Sequence, residues 1–325
     1  MKTSVVIPNY NGIEYIGACL EAMRGQTRKP DLTIVVDNGS SDGSAELVAE
    51  RYPEVRLVRF PENTGFCGAV NEGIRLSGEA GMDYVILLNN DTEAEPAFTG
   101  ELVRAMEKNR RIFSAQAKML KMSDPGLIDD AGDLYCSLGW AFARGKGKPE
   151  TDYNRPERIF SCCAGAAIYR MSVLTEIGAF DENHFAYLED TDIGWRARLR
   201  GYVNYYVPAA RVLHVGSAAS GSVYNLFKVK NTSRNSIYLI SKNMPPLQIL
   251  INLPLLIPGF LVKAAFFASR GFGAVYVKGI INGFRLSRRG RREGKTVRYE
   301  RRYLRFYLAV QLELWANTVR RLTGK

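Results

Sequence analysis

The chain has 325 residues, 46% of them hydrophobic, which is enough apolar material for one large domain or two smaller ones and excludes disorder along its length. Its formal net charge of +11 sits at one end: residues 278–325 carry 14 Lys/Arg against three Glu, whereas residues 1–277 balance at 30 of each sign. Five cysteines, Cys19, Cys67, Cys136, Cys162 and Cys163, lack C-x-x-C spacing and suggest neither a disulfide framework nor a zinc site, so buried reduced thiols are expected.

An apolar strand pattern begins at once with Ser4-Val5-Val6-Ile7-Pro8. It lacks the basic and long apolar regions of a secretory signal, so the catalytic body is expected to start at residue 1, inside the cell. Strands are predicted over residues 5–7, 33–36, 55–58 and 84–88, with helical segments near 13–24, 44–52 and 69–77 between them. This βαβα order gives a mainly parallel sheet. Residues 112–215 are less regular, with strands predicted at 166–169, 203–207 and 212–214 and a helix over 192–200. They read as the acceptor-side half of the same α/β domain. After Lys242 the composition changes to a Pro-interrupted apolar stretch and then to an Arg-rich one.

Ligands of open parallel sheets sit beyond the carboxyl ends of the strands. There the chain places Pro8-Asn9-Tyr10-Asn11-Gly12, then Asp37-Asn38-Gly39-Ser40-Ser41-Asp42-Gly43, then Pro61-Glu62-Asn63-Thr64-Gly65, and finally Asn89-Asn90-Asp91. Each cluster alone is ordinary turn and cap chemistry. Four of them on one sheet edge favour a polar ligand. No G-x-G-x-x-G follows the first strand, which argues against a dinucleotide oxidoreductase, and the Gly-rich basic loop of a nucleotidyltransferase is absent too. Further along, Glu189, Asp190 and Asp192 open a predicted helix, where carboxylates complement the helix dipole. His214, one of two histidines, follows a short apolar strand; the other, His184, has no assigned role.

Taken together, Val5-Val6-Ile7-Pro8-Asn9-Tyr10-Asn11, Val35-Val36-Asp37-Asn38-Gly39-Ser40-Ser41-Asp42-Gly43, Asn63-Thr64-Gly65 with Asn71-Glu72-Gly73, Leu87-Leu88-Asn89-Asn90-Asp91, and Glu189-Asp190-Thr191-Asp192 with Trp195-Arg196 resemble the inverting family 2 glycosyltransferases of the GT-A fold, closest to the rhamnosyltransferase-like members. The match spans roughly residues 3–242 in the family's order. The resemblance implies a nucleotide pocket lined by Pro8, Asn9 and Asn11, with Asp37 accepting a hydrogen bond from the base. Asn63 and Gly65 would lie against the ribose or base, and Asn71 and Asn90 would face the donor. Asn89-Asn90-Asp91 stands where the family has its metal-binding Asp-x-Asp. It implies Mn²⁺ or Mg²⁺ bridging Asp91 and the donor phosphates, with His214 completing the site. Asn89 replaces the first carboxylate, which implies a metal site more dependent on the donor's own oxygens. Asp190 would be the general base, with Glu189 next, and Asp192 a helix cap. Arg234, in the cationic segment 228–235, would contact the donor diphosphate.

The implied reaction is inverting transfer of a sugar from a nucleotide-diphospho-sugar, L-rhamnose from dTDP-rhamnose in the leading version, onto a lipid-linked saccharide in cell-surface polysaccharide synthesis. Another hexose from a UDP-sugar is the alternative. A sugar-nucleotide-binding protein without turnover is a second, resting on Asn89.

The domain is expected to occupy residues 1–243 and a helical tail residues 244–325. Residues 247–268 are nearly continuous apolar sequence, long enough at about 20 residues to cross a bilayer. Pro254, Pro258 and Lys263 interrupt them. A single crossing would also carry the nine arginines from Arg285 to Arg305 to the far side, against the positive-inside tendency. A re-entrant or interfacial helix on the cytoplasmic face of the cell membrane is therefore expected. Its arginines would meet anionic head groups, and residues 303–319 would form a second amphipathic helix with Leu304, Tyr307, Leu308, Leu312 and Trp315 on one side. The plainer alternative is that the apolar stretches pack on the domain or form a homodimer interface. No nucleic acid partner is expected, since no nucleic-acid-binding motif is present.

Overall fold

The computed structural model describes residues 1–216 and 224–323. Four strands, β1 (Thr3–Asn9), β2 (Leu32–Asp37), β3 (Arg56–Arg59) and β4 (Tyr84–Leu88), run parallel in the order β3-β2-β1-β4, joined by helices α1 (Ile16–Arg24), α2 (Ser44–Arg51) and α3 (Gly65–Glu79). The direction of winding therefore reverses between β1 and β4. Beyond β4 the sheet continues through β11 (Ala166–Arg170), antiparallel to both β4 and β6 (Ile112–Lys121), and then through β12 (Val203–His214), parallel to β6. The edge strand is β10 (Glu157–Ile159); β5 (Thr92–Ala94) pairs with β12 and β7 (Asp124–Asp130) with β6.

Both faces of the central strands are covered, which is why these strands read as unbroken apolar runs. Val5 and Ile7 face α1 and α4 (Phe98–Lys108), packing with Ile16, Leu20 and Leu102. Val6 faces the opposite way, towards Val70 and Ile74 of α3 and Ile193 of α6 (Glu189–Leu199). Helix α3 lies so close to β1 that a Cβ at Gly73 would come within 2.2 Å of Val6 Cγ1, so the position requires glycine. All five cysteines are free thiols.

Besides elements that the sequence reading did not predict, such as α4 and β6, three features differ from the expectation. The strands predicted at 203–207 and 212–214 are one strand, β12, whose register slips between Val207 and Arg211 around Pro208. A proline lacks the ladder N–H and forces a bulge, which makes one strand read as two. Helix α3 begins at Gly65, before the expected start, because Gly65 and Gly68 weaken its first turn as a sequence signal. A two-stranded hairpin, β8 (Asp133–Cys136) with β9 (Trp140–Ala143), occupies part of the stretch that read as irregular.

Beyond β12 come α7 (Leu226–Asn243), α8 (Pro246–Ala268), α9 (Gly273–Arg292) and α10 (Leu304–Thr323). The expected boundary after residue 243 falls at the α7–α8 turn. Helix α9 packs on α7 through glycines: a Cβ at Gly279 would lie 1.8 Å from Ser233 Oγ, and one at Gly283 would lie 2.6 Å from the Arg234 carbonyl. Helix α10 packs on α6 and the hairpin, where Val310 and Leu314 join Leu134, Tyr135, Phe160 and Trp195 in one buried cluster. Asn317 Nδ2 donates to the Tyr135 carbonyl at 3.0 Å, and Arg198 pairs with Glu313. The side predicted for this amphipathic helix is split: Tyr307 enters the cluster, whereas Leu304, Leu308, Leu312 and Trp315 stay exposed. The reason is that the docked partners are aromatic and sequence-distant, so helical spacing alone does not identify the inward face.

Candidate active site

The carboxyl ends of β1, β2 and β4 meet at Asn9. Its Nδ2 donates to Asp37 Oδ1 at 2.9 Å and to Ser44 Oγ at 2.9 Å, and its Oδ1 accepts from Asn90 Nδ2 at 2.8 Å. The parallel register sets Asn9 opposite Asp37, and both are buried. Asn9 and Asp37 thus tie the carboxyl ends of β1 and β2 together. Asn11, with left-handed φ of 49°, donates its backbone N–H to Ser40 Oγ and accepts the Ser41 N–H on Oδ1, joining the first two strand-end loops. Pro8 precedes this hub, paired in register with Val36.

Asn38 performs the same joining for the third loop and was not singled out by the sequence. It donates to Asn63 Oδ1 and the Gly65 carbonyl at 3.1 Å each and accepts from the Thr64 amide at 2.9 Å. Asn63 Oδ1 in turn accepts the Gly65 N–H at 2.8 Å. Gly65 has φ +81°, and a Cβ there would meet Phe185 at 2.6 Å. The segment before the acidic motif therefore rests on the Gly65 backbone. Asn71 is held by the same neighbourhood: its Nδ2 donates to the Phe180 carbonyl at 2.8 Å and to Glu182 at 3.1 Å.

Antiparallel pairing of β12 with β5 puts His214 opposite Thr92, and so beside Asp91. His214 Nε2 lies 3.4 Å from Asp91 Oδ1, while Nδ1 lies 2.8 Å from Asp129 Oδ2. Lys146 pairs with the other Asp129 oxygen at 2.8 Å. Burial alone would lower the His214 pKa, but the Asp129 and Asp91 carboxylates raise it to about 9. Asp129 also orients the ring, since an imidazole whose Nδ1–H is held by a carboxylate presents Nε2 outward. Asp129 is another residue that sequence reasoning missed; Asp129-Asp130 is an acidic pair at the end of β7 with no motif to mark it. Among the described residues no set of three or more His, Cys, Asp or Glu is arranged to hold a metal ion by itself. Asp91 and His214 offer one carboxylate and one imidazole, a donor pair suited to Mn²⁺ when a ligand's oxygens complete the shell.

At the opposite lip, α6 opens with Glu189 and Asp190 behind Leu188, a left-handed residue at φ 68°. Burial raises the Asp190 pKa, opposed by the Thr191 N–H, which donates to Oδ1 at 2.6 Å, and by the nearby Ala164 amide. The next residue, Gly165, accepts the Asn89 N–H at 2.9 Å. Ala164 and Gly165 thus lie between the Asn89–Asp91 turn and the acidic motif. Glu189 is buried with Oε2 unpaired, and burial together with Asp190 raises its pKa well above the carboxylate range. Asp133 of β8 joins this group: burial, Asp130 and Asp190 raise its pKa as well. Asp192 does more than the helix cap expected of it. It is fully buried and accepts from Arg196 at 3.0 Å, Lys242 at 2.8 Å and Asn243 at 2.8 Å.

The loop entering α6 is held in place from α7. Phe185, Tyr187 and Leu188 all have φ between 62° and 72°, strained for non-glycine residues. Asn235 Nδ2 lies 2.9, 2.9 and 2.7 Å from the carbonyls of His184, Ala186 and Tyr187. Arg234 Nη2 donates to the His184 carbonyl at 2.7 Å. In this structure Arg234 is therefore engaged with the loop that enters α6.

Residues 4–178 match the family described as Glycosyl transferase family 2. The chain is 30% identical over 240 residues to an N-acetylglucosaminyl-diphospho-decaprenol L-rhamnosyltransferase of Mycobacterium tuberculosis, covering 67% of this chain and 77% of that one. Its fold superposes on GalNAc-T7 with UDP, GalNAc and Mn²⁺ at TM-score 0.59 and 17% identity, over 74% of this chain and 48% of that one, so it spans about half of that transferase. It also superposes on the Pyrobaculum calidifontis mannosyltransferase PcManGT in complex with GDP-Man and Mn²⁺ at TM-score 0.54 and 17% identity, over 100% and 88% of the two chains. The chain therefore belongs to glycosyl transferase family 2 and is a glycosyltransferase of the GT-A fold, rhamnosyltransferase-like.

Proposed function

We propose that this enzyme transfers L-rhamnose from dTDP-rhamnose, with inversion, to a saccharide carried on a lipid diphosphate at the cytoplasmic face of the membrane. The observation that carries the reading is the position of Ala164-Gly165 between the two motifs: Gly165 accepts the Asn89 N–H at 2.9 Å, and the Ala164 amide lies near enough to the Asp190 carboxylate to lower its pKa. The rhamnosyl donor and the lipid-linked acceptor rest on the mycobacterial relative.

The chain's own groups divide the work. Asn9, Asp37, Asn38 and Asn63 set the shape of the nucleotide pocket through their mutual hydrogen bonds. Asp91 and His214 would hold a divalent cation, Mn²⁺ or Mg²⁺, which when bound neutralises charge on the departing nucleoside diphosphate. Asp190 takes the proton of the acceptor hydroxyl as its oxygen bonds to the anomeric carbon. The carbon–oxygen bond to the nucleoside diphosphate breaks on the opposite face, so configuration inverts. Burial suits Asp190 to this task, because a more basic carboxylate is a better proton acceptor near neutral pH. Burial and the neighbouring Asp190 raise the Glu189 pKa well above the usual carboxylate value, which disfavours its ionised, proton-accepting form. Arg234 and Asn235 hold the catalytic loop.

The experiment is a donor panel (dTDP-rhamnose, UDP-hexoses, GDP-mannose) with a polyprenyl-diphospho-N-acetylglucosamine acceptor and Mn²⁺, read as nucleoside diphosphate release and glycolipid product. Product from dTDP-rhamnose alone is expected. Product only from a UDP-hexose would replace the sugar and keep the reaction class, and release without any glycolipid would overturn the acceptor.

A further inference from the structure

Helix α8 is docked along its whole length. Near its start Gln248 and Asn252 donate to Gln311 of α10 at 2.9 and 2.8 Å; at its middle the Gly259 carbonyl accepts from Trp140 Nε1 at 3.0 Å; at its end Phe267 stacks on Tyr276 of α9, ring centroids 5.2 Å apart. Its other face is apolar and open to solvent, with Leu247, Leu250 and Leu261 each more than 60% exposed. Helix α10 repeats the division: Tyr307, Val310 and Leu314 point inward while Leu308, Leu312 and Trp315 point out. Helix α9 exposes Val277, Ile281 and Phe284, followed at once by Arg285 and Arg288. Trp315 Nε1 donates to Asn252 Oδ1 at 3.2 Å, so the exposed stripe of α10 adjoins that of α8. Apolar surface of this extent, contiguous between α8 and α10, marks an interaction site.

We propose that the exposed stripes of α8, α9 and α10 form one half-immersed face, on which α8 lies in the plane of an anionic bilayer and does not cross it. Length does not decide between the two arrangements, since 23 helical residues reach about 35 Å at ~1.5 Å per residue. The docked face does. A crossing would peel α8 off the body and carry Gln248 and Asn252 into hydrocarbon without Gln311, and unpaired polar groups are costly there. The in-plane arrangement keeps every one of these contacts. The charge beside the stripes selects lipid over a second copy of the chain. Residues 278–325 carry 14 Lys/Arg against three Glu, so two such faces repel one another while an anionic surface attracts each. The proposal rests on the lipid-linked acceptor only in its choice of lipid, and its test reads binding instead of transfer.

The test uses the full chain and vesicles of phosphatidylcholine with or without phosphatidylglycerol. Two double variants serve, Leu308→Glu with Leu312→Glu on α10 and Leu250→Glu with Leu261→Glu on α8. All four side chains are exposed, so unchanged melting temperatures and unchanged nucleoside diphosphate binding are expected. Wild-type co-sedimentation should rise with phosphatidylglycerol and fall in part at high salt, and either pair should lower it at least tenfold. Brominated lipid should quench wild-type tryptophan fluorescence, with the quenching lost in Trp315→Phe. Undiminished sedimentation of either pair would overturn the shared face. So would a fragment beyond Ala268 protected from protease inside sealed inverted vesicles, or a lipid-free dimer that the same variants dissociate and that ignores vesicles. Failure of the donor panel would leave all of these readings unaffected.

Discussion

The proposed reaction gives Asp91, Asp129 and Asp190 three different tasks, and each substitution should have its own signature. Asp91 is the carboxylate of the β4 turn, so Asp91→Ala should abolish Mn²⁺-dependent binding of the nucleoside diphosphate in calorimetric titration. Asp129 acts one step removed, through the 2.8 Å contact to His214 Nδ1. Asp129→Asn should therefore weaken Mn²⁺-dependent binding by ~10–100-fold, the usual worth of a carboxylate that orients a ligating histidine. Metal-independent binding of the same nucleotide should not change. Asp190→Asn should leave donor affinity intact and lower turnover by ~10²–10⁴. Near-normal turnover in that variant would move the base elsewhere in the acidic group.

Between α6 and α7 the structure concentrates ionic contacts that a helix-cap reading does not anticipate. Lys242 Nζ reaches Asp181 at 2.7 Å and Asp192 at 2.8 Å, and Lys295, from the segment after α9, adds a third contact to Asp181 at 2.9 Å. Burial opposes ionisation of both carboxyls, yet Lys242, with Arg196 at Asp192, holds them below the usual carboxylate range. Folded-state values below the unfolded ones stabilise the protein above pH ~4, and that contribution is lost as pH falls through the folded values. Acid titration of the melting temperature should show this loss. Lys242→Met strands two buried carboxylates, should cost ~3–5 kcal/mol at neutral pH, and should flatten the acid dependence. Asn235→Ala, at the other end of this contact, frees three loop carbonyls. About 1–3 kcal/mol of stability and a fall in kcat with unchanged donor affinity are expected, because the strained 185–188 loop then no longer presents Asp190 in one position.

For the whole molecule the tail and the transferase share a core. Removing residues 244–325 would uncover Leu134, Tyr135, Phe160 and Trp195, which pack on Val310 and Leu314. The truncated protein should melt at lower temperature, bind a hydrophobic dye and aggregate. An equally stable, monomeric fragment 1–243 would show that the boundary at residue 243 is energetic as well as covalent. Stability and membrane binding must therefore be separated by the exposed-face variants, since deletion alters both.

What the sequence determined by itself was short-range. Short apolar runs, Val5–Ile7, Ile34–Val36 and Tyr84–Leu88, each followed closely by Asn or Asp, placed β1, β2 and β4, and the same turn chemistry put Asn9, Asp37 and Asn90 at one sheet edge. Glu189 and Asp190 were legible because they open a helix within a few residues of a recognisable motif. The tertiary structure decided whatever depends on residues distant in the chain. Asp129 stands beside His214 across 85 positions, because β6 carries β7 on one side and β12 on the other. Asn235 reaches a loop some 50 residues earlier. The inward faces of α8 and α10 follow from where Gln311, Trp140 and Tyr135 lie, and an apolar helix with two usable faces carries no local signal of which one its own protein will cover.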